Sequence, residues 1–216
     1  MIKNILLLLS ITILVISYIR IILIYFQTKN KKIKNKTGFD IAKEITSNYD
    51  EINIVESKEV NISKYNLKRK IIRLTNKNYE ANNIFTLAIT SCLSGYSLAN
   101  INKDKYLQLL SNILLSIDYL DKSAIFSLII TLITINAGDA KIAIILLIII
   151  LIYQYIMIQI AHSSNHYATE ELKKAVSKKN YTEIEEILSC FLSLRTISFV
   201  TTLILILVNV LTILSY

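Results

Sequence analysis

Residues 142–160 read IAIILLIIILIYQYIMIQI, without a charge and with polar side chains only at Tyr153, Gln154, Tyr155 and Gln159. As a helix this stretch covers about 28 Å, close to the ~30 Å hydrocarbon core of a bilayer. It sets the class: part of this chain is made to cross a membrane. Working outward, residues 5–26 (ILLLLSITILVISYIRIILIYF) form a second such run, broken by one charge, Arg20, and residues 197–215 form a third. Residues 123–135 are equally apolar but short, so their helix is expected to begin near Tyr106 and to carry Asp118, Asp121 and Lys122 at the membrane interface. A polar turn at 136–141 joins it to the 142–160 span as a tight hairpin.

The whole chain of 216 residues agrees with this. It is 53% hydrophobic, too apolar for an ordinary soluble domain, and the excess is concentrated in those four blocks. Proline is absent and glycine numbers 3, which excludes collagenous, Pro/Gly-disordered and Gly-rich phosphate-loop classes. The richness in Ile, Lys, Asn and Tyr follows AT-rich codons and points to a bacterium with an AT-rich genome.

Charge sets the orientation. Lys29, Lys31, Lys32, Lys34 and Lys36 follow the first span, against Lys3 before it, and Lys173, Lys174, Lys178, Lys179 and Arg195 precede the last. By the positive-inside rule both termini lie outside and the basic segments are cytosolic. The apolar run of the first span is too long for a cleavable signal peptide, and no small-residue cleavage site follows, so an uncleaved anchor is expected. The expected organisation is an anchor at 1–27, a cytosolic α+β insert at 28–105, a transmembrane hairpin at 106–160, a cytosolic helical segment at 161–196 and a final span at 197–216. Cys92 and Cys190 are too few for a disulfide framework and are expected as thiols.

Within the insert, Thr37 followed by Asp40 has the form of a capping box and predicts a helix over about 37–47. Ile52, Ile54, Val60 and Ile62 alternate with polar residues, and 70–75 reads as another strand, with 63–68 available to turn; a small β-hairpin is expected. Residues 81–99 predict a helix apolar on most faces, which must be buried, and the insert is expected to pack on the helix after residue 160. In the second polar segment Thr169 and Thr182 precede acidic residues and read as helix starts.

This order of elements resembles the neutral zinc metallopeptidases of bacterial membranes, the YugP-like family. Thr37, Gly38, Ala42 and Ile45 match that family's TGxxxAxxI opening, and Tyr65 through Ile72, Arg73 and Leu74 to Tyr79 match its second conserved segment without a gap. The resemblance implies a mainly α membrane protein with four transmembrane helices and a small zincin-like cytosolic insert. Continuing without gaps, it places the family's HExGHA metal motif on Cys92, Leu93, Ser94, Gly95, Tyr96 and Ser97, and a third ligand near Ala161. Only the glycine survives. In zincins two histidines at i and i+4 hold Zn²⁺ and the intervening glutamate takes a proton from the bound water. Here Cys92 and Tyr96 occupy the histidine positions, Leu93 the base and Ala161 the third ligand. Cys92 and Tyr96 are expected side by side on one face, toward Ala161 and His162.

Other chemistry is sparse. His162 and His166, the only histidines, stand at i and i+4 with Glu170 one turn further; with Cys92 they form the alternative, a displaced zinc site. Asp118 and Asp121 read as solvated interfacial acids. The lysines are explained by orientation and an anionic leaflet, with no nucleic-acid motif. The expectation is therefore a pseudopeptidase of the bacterial inner membrane with no cofactor. It would act by binding a peptide, a membrane protein or an active paralogue in the lipid bilayer.

Overall fold

The computed structural model describes residues 2–34, 36–58 and 62–215, with only the backbone of Asn136 and Ala137. The chain is mostly helical and carries one small sheet. Its elements run α1 (Ile2–Thr28), α2 (Gly38–Ile45), β1 (Asn53–Ser57), β2 (Lys64–Asn66), β3 (Ile71–Thr75), α3 (Asn76–Glu80), α4 (Ile84–Ile101), α5 (Lys105–Ser111), β4 (Ser116–Asp118), α6 (Ser123–Ala137), α7 (Ala140–Ala175) and α8 (Lys178–Leu214). They divide into two compact units.

The first unit comprises Met1–Ile21, Asp121–Ile158 and Ser193–Tyr216. Its outward side chains are large and apolar, among them Leu8, Ile16, Phe126, Ile133, Ile145, Ile149 and Leu203, and polar side chains pair inside it beside buried aliphatics such as Leu14, Leu147 and Val208. Gln154 Nε2 donates to Ser123 Oγ at 2.9 Å, the Ser127 and Thr202 hydroxyls pair at 2.9 Å, and Asn209 Nδ2 donates to Thr131 Oγ1 at 3.3 Å. That inversion of the soluble pattern is the one helices adopt in lipid, where small polar side chains tie helix to helix.

Among the described residues four helices are long and apolar enough to cross a membrane: α1, α4, α7 and α8. They are not the four spans expected. Helix α4 qualifies because it is apolar all round, but 89% of its apolar window is buried in protein, against 22% for α1 and for α7. Helix α6 begins at Ser123 and not near Tyr106, so it covers only about 22 Å by itself. The residues assigned to its start form α5 and β4 instead. Asp118 lies in β4, and Asp121 is buried rather than solvated, its Oδ1 accepting the Ser123 N–H at 2.9 Å and the Ser123 hydroxyl at 2.6 Å. The carboxylate thereby binds the first residue of the helix it was expected to lie within, whose N-cap, Lys122, contributes no side-chain bond.

The second unit, Ile22–Leu120 with Gln159–Leu192, is built on the sheet and α4. Strand order is β1-β3-β2-β4, with β1 parallel to β3 and the other pairs antiparallel. The register sets Ile54, Ile72, Tyr65 and Ile117 in one line across the strands. Ile72, Leu74, Tyr65, Leu67 and Ile117 are buried, and α4 packs on β2 and β3. The expected hairpin between the 52–62 run and 70–75 is not formed, because β1 runs parallel to β3; the hairpin that is present pairs β2 with β3. Residues 64–66, read as turn, form its first strand, and the alternating run from Ile52 supplies β1, a parallel neighbour. Val60 lies outside the described residues.

Helix α2 starts as predicted and ends slightly earlier. Thr37 Oγ1 accepts the Asp40 N–H, while Asp40 Oδ2 accepts the Thr37 N–H at 2.8 Å and its hydroxyl at 2.7 Å. These bonds hold the Asp40 carboxyl below the usual carboxylate range. Gly38 admits a close approach: a Cβ there would lie 1.9 Å from the Asn78 carbonyl oxygen.

Helix α4 also meets α7, as the expected packing on the helix after residue 160 requires. A Cβ at Gly95 would sit 2.2 Å from the Ser164 carbonyl oxygen and 3.0 Å from Ala168 Cβ. Neither Thr169 nor Thr182 starts a helix. Thr169 Oγ1 donates to the Asn165 carbonyl inside α7, and Thr182 Oγ1 donates to the Lys178 carbonyl at the head of α8. Helical interiors tolerate threonine when its hydroxyl bonds back one turn, which hides it from a cap pattern. The C-terminus of α7 is met by Lys36, whose Nζ donates to the Ala175 carbonyl and pairs with Glu44.

Two substitutions test this unit. Gly95→Ala must push α4 from α7 and should lower the denaturant midpoint of the purified protein in detergent by the equivalent of about 1–3 kcal/mol. Thr37→Ala should cost about 1 kcal/mol by the loss of the cap. A depressed carboxyl contributes stability above its unfolded pKa, about 3.9, and loses it as pH falls through the folded value. Asp40→Asn should therefore be less stable than the parent at pH 7 and lose less on acidification below pH 4, measured by the same unfolding series.

Candidate functional site

The positions that the motif comparison singles out lie on α4, which Asn83 opens by accepting the Thr86 N–H at 2.9 Å. Cys92, Leu93, Ser94, Tyr96 and Ser97 are all buried, with Cys92 2%, Leu93 0% and Tyr96 1% exposed. On α7, Ala161 is buried and shares a face with Ser164 and Ala168, the residues against Gly95. The family's ligand-bearing helix and the segment assigned its third ligand are thus brought together in one buried contact. The groups that meet there are the glycine, the Ser164 carbonyl and the Ala168 methyl.

A zinc site needs three or four converging thiolate, imidazole or carboxylate ligands. At these positions the chain supplies one thiol and one phenol, and this donor set does not fit the metal. Among the described residues no three His, Cys, Asp or Glu side chains gather as a metal would require. The displaced set is not assembled either. His166 Nε2 lies 3.6 Å from Glu170 Oε1, but their side chains are 68% and 57% exposed, and His162 is exposed on the same side of α7. Cys92 is buried within α4. His162 therefore faces outward, whereas the face of α7 carrying Ala161 is turned inward.

Beside α4 the second unit carries a cleft of about 660 Å³. Phe85, Thr86 and Ile89 from α4, Tyr25, Tyr119 and Lys32 contribute to its walls. Phe85, Ile89, Cys92 and Tyr96 follow at helical spacing, so the cleft opens along the face that bears the positions matched to the metal motif. Aromatic rings line this approach. Tyr25 stands edge-on to Phe85 at 5.3 Å, Phe85 edge-on to Phe191 at 5.9 Å, and Tyr119 tilts on Phe191 at 5.4 Å. Burial raises the Tyr119 phenol above its ordinary range, reinforced by Asp118 and by Cys92, so Tyr119 stays a neutral hydrogen-bonding group at physiological pH. The sequence reading missed these aromatics. Phe85 is seven residues before Cys92, a spacing that marks a shared helix face, but Tyr119 arrives from β4 through the fold and carries no local signal.

Residues matched to the family outside the motif do structural work. Tyr65 is fully buried, its Oη accepting from Asn100 Nδ2 at 2.9 Å, and burial pushes its phenol up to about 12. Asn100 also donates to the Leu67 carbonyl at 3.1 Å, which ties the end of α4 to the hairpin. Tyr79 stacks on Phe39 at 4.9 Å, and Ala42 and Ile45 are buried against α4.

No curated protein and no solved structure matches the chain. The family described as "Putative neutral zinc metallopeptidase" matches residues 2–216, over almost the whole chain, and this chain belongs to that family.

Proposed function

We propose that the protein is a membrane-embedded, non-catalytic member of its family that holds a peptide or a membrane-protein partner. One observation carries this: the four positions that would supply two ligands, the general base and a third ligand are Cys92, Tyr96, Leu93 and Ala161. Leucine has no lone pair with which to take a proton from water, so the general-base role has no occupant. Alanine cannot ligate, a phenol ionises only near pH ~10, and one thiolate leaves a zinc site incomplete. The cleft beside α4 supports binding. It is aromatic on one wall and polar on the other, a composition suited to a peptide whose side chains bury while its backbone finds hydrogen bonds.

In this reading α1, α6, α7 and α8 face lipid. The short α6 is accommodated by local thinning of the bilayer, and α7 and α8 project beyond it on the cytosolic side. Partners of the active type are a peptide, another membrane protein or an intact relative; nucleic acid is not among them.

Two measurements test the proposal. Protein purified from membranes without chelators should contain far less than stoichiometric zinc and should not cleave casein above a heat-inactivated control. Near-stoichiometric zinc that disappears in His162→Ala or His166→Ala would overturn the non-catalytic reading in favour of a displaced site. For orientation, a Lys34→Cys variant should resist a membrane-impermeant thiol reagent in intact cells and react after permeabilisation. Labelling in intact cells would reverse the topology.

A further inference from the structure

Between Lys105 and Asp118 the chain reads YLQLLSNILLSI, residues 106–117, without a single charge. The segment forms α5, a short tip and β4, and its apolar side chains are split between two faces. Leu107, Leu110 and Ile117 are buried in the core of the second unit, at 0%, 2% and 3% exposed. Leu109, Ile113 and Leu115 point out, at 51%, 73% and 64%. Outside α1, the only other large hydrophobic of this unit exposed among the described residues is Val55, at 37%. The tip is therefore an apolar patch on a unit whose surface is otherwise polar and basic.

Its backbone is well held. The Ile113 and Leu114 N–H groups both donate to the Leu110 carbonyl, at 2.9 and 2.7 Å, and the Leu115 carbonyl accepts the Leu67 N–H at 3.0 Å from the β2–β3 turn. A fixed backbone that displays an isoleucine and two leucines has a surface waiting for cover.

We propose that this tip is seated in the membrane surface, with Leu109, Ile113 and Leu115 among the headgroups and upper acyl chains. The inference rests on the reading of α1, α7 and α8 as bilayer-crossing helices. Three observations favour lipid over a protein partner. Leu115 stands eight residues before Ser123, where α6 begins, so the tip lies within about 28 Å of a membrane helix even if the chain between were fully extended. The polar neighbours are Gln108, Ser111, Asn112 and Ser116, uncharged groups that a headgroup region tolerates, whereas a specific protein partner would be matched by charge. The flanking charges are Lys103, Lys105 and Lys122, all exposed, and Asp104, Asp118 and Asp121, which are half-buried or buried, so the groups turned outward are the basic ones and suit an anionic leaflet. Such a contact gives the second unit an attachment to the bilayer independent of the spanning helices.

The test uses the full chain in nanodiscs of phosphatidylcholine and phosphatidylglycerol. An environment-sensitive fluorophore is placed by Ile113→Cys, by Ile145→Cys on the exposed apolar side of α7, and by Lys77→Cys on the polar surface; native Cys92 and Cys190 are buried and give the unlabelled background. Lipids carrying a shallow quencher should reduce emission at position 113 several-fold more than at position 77, and lipids with a deep quencher should reduce it at position 145. Position 113 quenched no more than position 77, with position 145 quenched, would overturn the proposal and leave the membrane reading standing. Position 145 unquenched would overturn the membrane reading itself. Shielding of position 113 from aqueous iodide without lipid quenching would assign the tip to a second copy and overturn the proposal.

Discussion

Helix α4 is buried on nearly every side, and a single residue without a side chain lets α7 reach it. At Gly95 the backbone of α4 comes so close to the Ser164 carbonyl that a methyl group has no room. Around that contact the other packing is arranged: α2 lies on α4 with Gly38 in similarly close approach to Asn78, and the sheet presents Tyr65, Ile72 and Leu74 to it. A helix in such surroundings has no polar face, which is why its hydropathy resembles that of a membrane span although it is enclosed by protein. Its serines and threonines are compatible with this burial because several return their hydroxyls to the preceding turn, as Thr90 does to Thr86 and Ser91 to Leu87.

The residues matched to the family outside the metal motif serve the same packing. Residues shared with the family at Thr37, Gly38, Ala42, Ile45, Tyr65 and Tyr79 cap, pack or stack, and none of them depends on a metal. Buried polar or charged groups are costly unless fully satisfied, and apolar replacements of suitable volume can hold a core as well or better. Leu93 and Ala161 are such groups at buried positions. Fold stability and reaction chemistry are carried by different side chains.

In the apolar unit the balance is reversed. Large aliphatic side chains face outward, while Ser123, Gln154, Ser127, Thr202, Thr131 and Asn209 pair inside. This pattern is compatible with a lipid environment, where tails as apolar as leucine leave hydrogen bonds and close small-residue packing to hold helices together. Tyr18 adds one bond of this kind, its hydroxyl donating to the Asp121 carbonyl at 2.6 Å.

The sequence by itself determined the features governed by composition and short spacing. The apolar blocks of α1, α7 and α8, the Thr37–Asp40 capping box, the strand at 71–75, the burial of α4 and the family match were all legible, since helical period and cap chemistry act within a few residues. Tertiary structure decided what depends on distant partners. Residues 64–66 became a strand because β3 and β4 flank them, and Asp121 became a buried acceptor for Ser123 because the chain turns there, which left α6 short. Thr169 and Thr182 fell inside long helices, where each hydroxyl bonds back one turn instead of capping a new start. His162 and His166 keep a ligand-like spacing on α7 but lie on its exposed side, and Cys92 is enclosed in α4. Spacing along one helix fixes which residues share a face; only the packing of one helix against another decides which face is turned inward.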